Sequence, residues 1–299
     1  MPIADYPPPL DQLLRLGEAT AWGQRSIAEW PDYVAQFGLN TEYIPDLIRL
    51  LSDTEVIATE GSDSEGSADG DENDVADPSV WAQLHAWRAL GQLRAAAAVG
   101  PLLDLLDQAE DDASFEEMPH VFGLIGPAAL PLLRDHLAAH RHAYYHASAS
   151  VLEGIRQIAA QHPAQHDEAV AILLHSLAPY ADNDPTFNGF LIGELTDLQV
   201  TAALPLIEQA FADDKVDIMM TDWPTTQFQF GLISADELQA RSVEMTARRR
   251  AITAPMRAAL DAVRDRVAAA APPRKAAANP AKAKRKQVAA SRKKNRPRK

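Results

Sequence analysis

The chain of 299 residues is long enough for one elongated domain or two compact ones, and 46% apolar residues supply a core. The absence of cysteine excludes disulfides, thiolate catalysis and cysteine-ligated zinc or iron–sulfur sites. The net charge of −14 hides a division: residues 247–299 hold 18 Lys/Arg against Asp261 and Asp265, a balance of +16, so residues 1–246 carry −30.

The opening "MPIADYPPPL" has no basic stretch ahead of an apolar run, and no apolar run approaches the ~18 residues of a membrane span. A cytoplasmic location without a membrane span is therefore expected. Leu10–Gly17, Pro31–Phe37 and Glu42–Leu51 read as short helices, making residues 1–52 an N-terminal helical cap. Residues 53–78, "DTEVIATEGSDSEGSADGDENDVADP", carry ten acids and no base, too polar to bury, and are expected to form a disordered loop. Calcium is not expected there. Counting an EF-hand from Asp69 puts Asp74 where glycine belongs and Val80 where the bidentate glutamate belongs.

Residues 79–233 repeat a phrase: "AAAVGPLLDLL" (96–106), "GPAALPLLRDHL" (126–137), the degenerate "EAVAILLHSL" (168–177) and "TAALPLIEQAF" (201–211). Aligned on Pro101, Pro131, Ala171 and Pro205, they recur at steps of 30, 40 and 34 residues. Each follows a second apolar-periodic segment: "VWAQLHAWRALGQL", "FEEMPHVFGLIG", "ASASVLEGIRQIAA" or "FNGFLIGELTDL". Proline at the start of the second segment suits the first turn of a helix, where a missing N–H is no loss. Gly91, Gly123, Gly154 and Gly193 would let neighbouring helices approach closely. In "ALPLLRDHL", Leu132 is expected to pack between repeats. The unit is a pair of antiparallel helices that must stack on its neighbours to bury both faces.

In residues 234–272, Ser234 and Glu237 have the form of a capping box, and a second helix is expected from Pro255 to about Ala270. Residues 273–299 contain no acid and read as a disordered basic tail.

An "A-A-x-P-L-L" helix following an "A-L-G-x-L" helix resembles the HEAT-like repeats, including the group named after phycobilisome lyases. With "WRALGQLRA", "NGFLIGEL" and "IEQAFADDKVD…DW", the body resembles a set of bacterial HEAT-repeat proteins over about Ser79–Asp214. The resemblance implies an all-α fold, a right-handed α-solenoid of HEAT-like helical hairpins. It names no task, because such arrays host many.

Three histidine pairs, His136/His140, His142/His146 and His162/His166, have the i,i+4 spacing that places two imidazoles on one helix face. A zinc site needs a third ligand and outer partners. The first pair stands at a helix end, Pro163 interrupts the third, and no His-Glu dipeptide of the di-iron HEAT-repeat hydroxylases occurs. The histidines are accordingly read as polar edges of repeats, with no metal and no cofactor. His85, Trp87 and Arg88 could line a groove, but Trp87 at helical spacing reads as core. "KVDIMMTDWPTTQFQFGL" breaks the repeat and is expected to close the array, with Asp217, Asp222 and Trp223 as a partner-binding patch.

Lys284, Arg285, Lys286, Arg292, Lys293, Lys294, Arg296, Arg298 and Lys299 are the expected polyanion contacts of the tail. The acidic body argues against a HEAT-like DNA glycosylase, which needs a basic face. The reading is a non-catalytic protein-interaction scaffold, with a protein partner on the solenoid surface. Its tail would contact nucleic acid, acidic protein or another polyanion. The alternative is an enzyme or metal-dependent protein, lyase-like activities included, with a polar site on the concave face.

Overall fold

In the computed structural model, residues 6–17, 27–53, 78–109, 112–142 and 146–270 are described, all in helices, turns or loops and with no strand among them. The chain divides into two units, Met1–Ser242 and Val243–Lys299. The first contains α1 (Leu10–Leu13), α2 (Tyr33–Phe37), α3 (Ile44–Leu51) and four hairpins. The hairpins are α4 (Ala82–Gln92) with α5 (Val99–Gln108), α6 (Asp112–Ile125) with α7 (Leu130–His140), α8 (His146–Gln161) with α9 (His166–Leu177), and α10 (Pro185–Asp197) with α11 (Leu204–Ala212). After them comes α12 (Trp223–Gln229), and α13 (Ala235–Ala270) then crosses the boundary between the units.

The turn inside each hairpin has a shared chemistry. A 3-10 turn precedes every second helix, at Ala96–Ala98, Pro127–Ala129, Pro163–Gln165 and Thr201–Ala203. Pro101, Pro131 and Pro205 fall within the first three residues of α5, α7 and α11, where no intrahelical donor is needed. Helices α4 and α10 end in paired reverse bonds, Ala95 N to Leu90 O with Arg94 N to Gly91 O, and Val200 N to Leu195 O with Gln199 N to Thr196 O. Closing them needs left-handed backbone, and Arg94 (φ 53°) and Gln199 (φ 54°) adopt it despite having side chains.

The hairpins stack in two rows. First helices pack in the order α4, α6, α8, α10, with α12 against α10, and second helices in the order α5, α7, α9. The core therefore runs between rows: Val99, Leu102 and Leu106 of α5, Phe122 and Ile125 of α6, Leu130, Leu133 and Leu137 of α7, and Val151, Leu152 and Ile155 of α8 are all buried. At the first end, α1, α2 and α3 pack on α4, and α3 also reaches α5, taking the place of a preceding hairpin. Among the described residues no helix is long and apolar enough to cross a membrane.

Small residues set the spacing of the first row. A Cβ on Gly154 would stand 3.0 Å from the Phe122 ring, and one on Gly123 would stand 2.8 Å from the Gln161 amide. Gly91 is equally committed, with Leu124 at 3.2 Å, but Gly193 is not: a Cβ there meets nothing within 4 Å. The tight glycine of α10 is Gly189, whose Cβ would fall 2.7 Å from Met220 of the closing segment. Pro119 lies inside α6 and cannot donate to the Phe115 carbonyl four residues back. The Ser150 hydroxyl of α8 donates to that oxygen instead, at 2.8 Å.

Two further expectations are corrected. The segment after Ser234 is one helix, not two: α13 continues through Pro255, carried by the good helix formers Ala and Arg on both sides. Its start is the capping box, with Ser234 N donating to Glu237 Oε2 at 2.8 Å and Glu237 N to Ser234 Oγ at 3.3 Å. Leu132 does not pack between repeats but is 44% exposed, because Leu130, Leu133 and Leu137 form the inward stripe of α7. Leu133→Asp should therefore cost about 4 kcal/mol or more by forcing a carboxylate into apolar surroundings. Leu132→Asp should stay within about 0.5 kcal/mol of wild type. Urea unfolding followed by circular dichroism separates the two.

Candidate functional site

Three seams between helices of the first unit bring charged or titratable side chains together. At the first, Trp87 and Arg88 of α4 converge on Glu117 of α6. Arg88 Nε donates to Glu117 Oε2 at 2.7 Å, its NH2 donates to Oε1, and Trp87 Nε1 shares Oε2 at 2.9 Å. Arg88 is 1% exposed and its guanidinium lies over the Trp30 ring, 4.9 Å from the centroid. Burial alone would lower its pKa, but the Glu117 hydrogen bond and charge raise it, so the cation persists. One turn earlier, His85 Nε2 donates to the Gly17 carbonyl at 2.9 Å, which leaves Nδ1 to accept from the Tyr33 hydroxyl at 2.7 Å. Burial drives His85 down to about 4, so it is neutral at physiological pH. His85, Trp87 and Arg88 are all buried, and line no exposed groove.

The second seam joins α8 to α10. Arg156 Nε donates to Glu194 Oε2 at 2.6 Å and its NH2 to Glu153 Oε1 at 2.9 Å, with Asp197 3.9 Å away. One cation thus serves three carboxylates. Burial, then Glu153 and Asp197, push Glu194 up to about 7 against the pull of Arg156. A folded-state pKa above the unfolded one means the native chain holds the extra proton. The Glu194 contribution to stability is full below its ordinary range near 4.3 and is lost as pH rises through about 7. His85 works in the opposite sense, losing stability as pH falls from about 6.5 to about 4. The difference between Glu194→Gln and wild type isolates the first effect. Relative to wild type, the variant should gain stability between pH 5 and pH 8, as read from urea midpoints at both.

The third seam lies between second helices. His136 of α7 is 8% exposed, and its Nε2 lies 2.7 Å from Asp107 Oδ1 of α5. Burial lowers its pKa, partly offset by Asp107. The His140 ring stands 4.2 Å from the His136 ring, centroid to centroid, and its Nδ1 donates to the His136 carbonyl at 2.9 Å. Asp107, His136 and His140 each bring one donor atom to within 4.8 Å of the other two.

No family model matches the chain, and neither a curated protein nor a solved structure is significantly similar to it. The geometry of its own residues is what describes its sites.

Of the three histidine pairs, only His136/His140 shares one helix. His142 follows α7 and donates from Nδ1 to Asp182 O at 3.0 Å, whereas His146 opens α8. His162 precedes a 3-10 turn and donates to Gly123 O at 3.0 Å, whereas His166 begins α9. Asp107 is the member that spacing within the repeat does not reveal, since it lies 29 residues before His136 in the previous hairpin.

The structure gives the closing-segment residues partners within the chain. Asp217 accepts from Met219 N at 2.8 Å and from Thr186 Oγ1 at 3.3 Å. Asp222 is buried and caps α12 by accepting from Thr225 N at 2.8 Å. Trp223 is half-buried, with its ring 5.8 Å from that of Phe211 in α11. Asp217 and Trp223 thus tie the segment to α10 and α11, while Asp222 fixes the start of α12. Next to them, Met219, Met220, Phe228 and Leu232 are exposed. The acidic loop from Thr54 to Asp77 and the tail residues from Lys284 to Lys299 lie outside the described residues.

Proposed function

We propose that the body is a right-handed α-solenoid of HEAT-like hairpins acting as a non-catalytic protein-interaction scaffold, with a basic tail that contacts polyanions. The observation that carries this reading is the concentration of exposed large apolar side chains in the last layer: Met219, Met220, Phe228 and Leu232 within fourteen residues. Elsewhere in the unit the exposed large apolar side chains, Leu16, Val34 and Leu132, stand far apart in the chain, whereas these four fall together. Flexible methionines beside aromatic residues suit a surface that moulds itself to a protein partner. The nearby carboxylates of Asp217 and Asp222 are held by backbone amides, so they fix the shape of the segment that presents these side chains. Support for the tail is its charge: Arg274–Lys299 holds 12 Lys/Arg and no acid.

A photo-crosslinking amino acid placed at Phe228 or Met219 in the full chain should yield a discrete adduct in cells, whereas the exposed polar position Asp104 should yield none. Equal labelling at all three positions would overturn the scaffold surface.

The tail is tested separately. Full-length protein titrated against single- and double-stranded nucleic acid should bind with little sequence preference. If about six phosphates are neutralised, the log–log salt slope should be near −5. Removal of residues 273–299 should abolish binding, and persistence of binding would refute the tail as the contact.

A further inference from the structure

We infer that Asp107, His136 and His140 form a binding site for one divalent transition-metal ion of the zinc class, clamped between the second helices of two consecutive hairpins. Two imidazole nitrogens and one carboxylate oxygen are a donor set that suits zinc, cobalt, nickel and copper, and suits magnesium or calcium poorly. The donor atoms already lie within 4.8 Å of one another, with His136 Nε2 and Asp107 Oδ1 at 2.7 Å. Tetrahedral zinc with bonds of about 2.0–2.1 Å needs its ligand atoms about 3.4 Å apart. Small side-chain rotations therefore bring the three atoms around an ion.

Orientation supports the same assignment. A carbonyl oxygen can only accept, so the bond from His140 Nδ1 to the His136 carbonyl fixes the proton on Nδ1 and the lone pair on Nε2. Metal-ligating histidines are held in this way, by donation of the other ring nitrogen to a backbone carbonyl. His136 and His140 are one helical turn apart on α7, which fixes both rings against one backbone. His136 donates from Nε2 to Asp107 in the metal-free form; on binding, the neutral ring changes tautomer, its single proton passing from Nε2 to Nδ1 by exchange with water, and the ion takes the vacated place between nitrogen and carboxylate. Asp107 comes from α5 and the histidines from α7, so the ion bridges hairpins rather than decorating one. Three protein donors leave a coordination position for water, the arrangement of an exchangeable site and not of a closed structural one.

The test titrates full-length protein with Zn²⁺, and with Co²⁺ as a spectroscopic probe, alongside the variants His140→Ala and Asp107→Asn. Circular dichroism checks that each variant folds. Wild type should bind one ion per chain, show cobalt d–d absorption of a four- or five-coordinate site, and melt at a higher temperature with Zn²⁺ than without. Each variant should bind about 100-fold more weakly or worse, since loss of even an outer partner of a ligand costs about 10–100-fold. His142→Ala, which removes a nearby histidine outside the cluster, should leave affinity unchanged. The inference is overturned if Zn²⁺ and Co²⁺ do not bind. It fails equally if His140→Ala and Asp107→Asn bind like wild type, or if Mg²⁺ raises the melting temperature as Zn²⁺ does. In those cases the His136–Asp107 contact is a structural hydrogen bond alone.

Discussion

A hairpin of two short helices has two apolar faces and can cover only part of them by itself. Everything in the first unit follows from that constraint. Leu133 and Leu137 are buried because neighbouring helices cover α7, and the hairpin α8–α9 depends in turn on α10. In such a chain of nearest-neighbour contacts, stability belongs to the interfaces as much as to the repeats. The ends need something else to cover them: α1, α2 and α3 do this at one end, and the segment around α12 does it at the other.

Apolar stacking fixes distance poorly, and polar groups set the register. Glu117 receives both Trp87 and Arg88 from the preceding hairpin, and Glu194 receives Arg156. Buried Asn188 donates to the carbonyls of Tyr180 and Lys215 and accepts from Asn183, joining three stretches of chain around α10. A hairpin that slid along its neighbour by one turn would leave several of these groups unpaired in a dry interior, at about 1–3 kcal/mol each and more for the ions.

Helical periodicity and the repeated proline phrase made the hairpins legible from the sequence, because both arise from local rules of helix initiation and side-chain spacing. What escaped was decided by three-dimensional neighbours. Leu132 and Leu133 are adjacent leucines in the same phrase, and only the direction of the next helix decides which is buried. Gly189 and Gly193 stand one turn apart, yet Met220 presses on one alone. Asp107 gives no signal beside the histidines it meets, since the two parts belong to different repeats. Pro255 looked like a start signal, but a start requires the preceding helix to stop, and nothing in the flanking residues makes it do so.

The exchange between Pro119 and Ser150 has a consequence for a chain made from one end. The Phe115 carbonyl lacks its helical donor, and the hydroxyl that replaces it is encoded 35 residues further on. At about 5–20 residues per second, synthesis leaves that carbonyl open to water for about 2–7 s. Arg88 and Trp87, by contrast, have already emerged when Glu117 appears. The nascent hairpin α6–α7 can thus dock backwards onto α4 at once, but the break in α6 is healed only when α8 arrives.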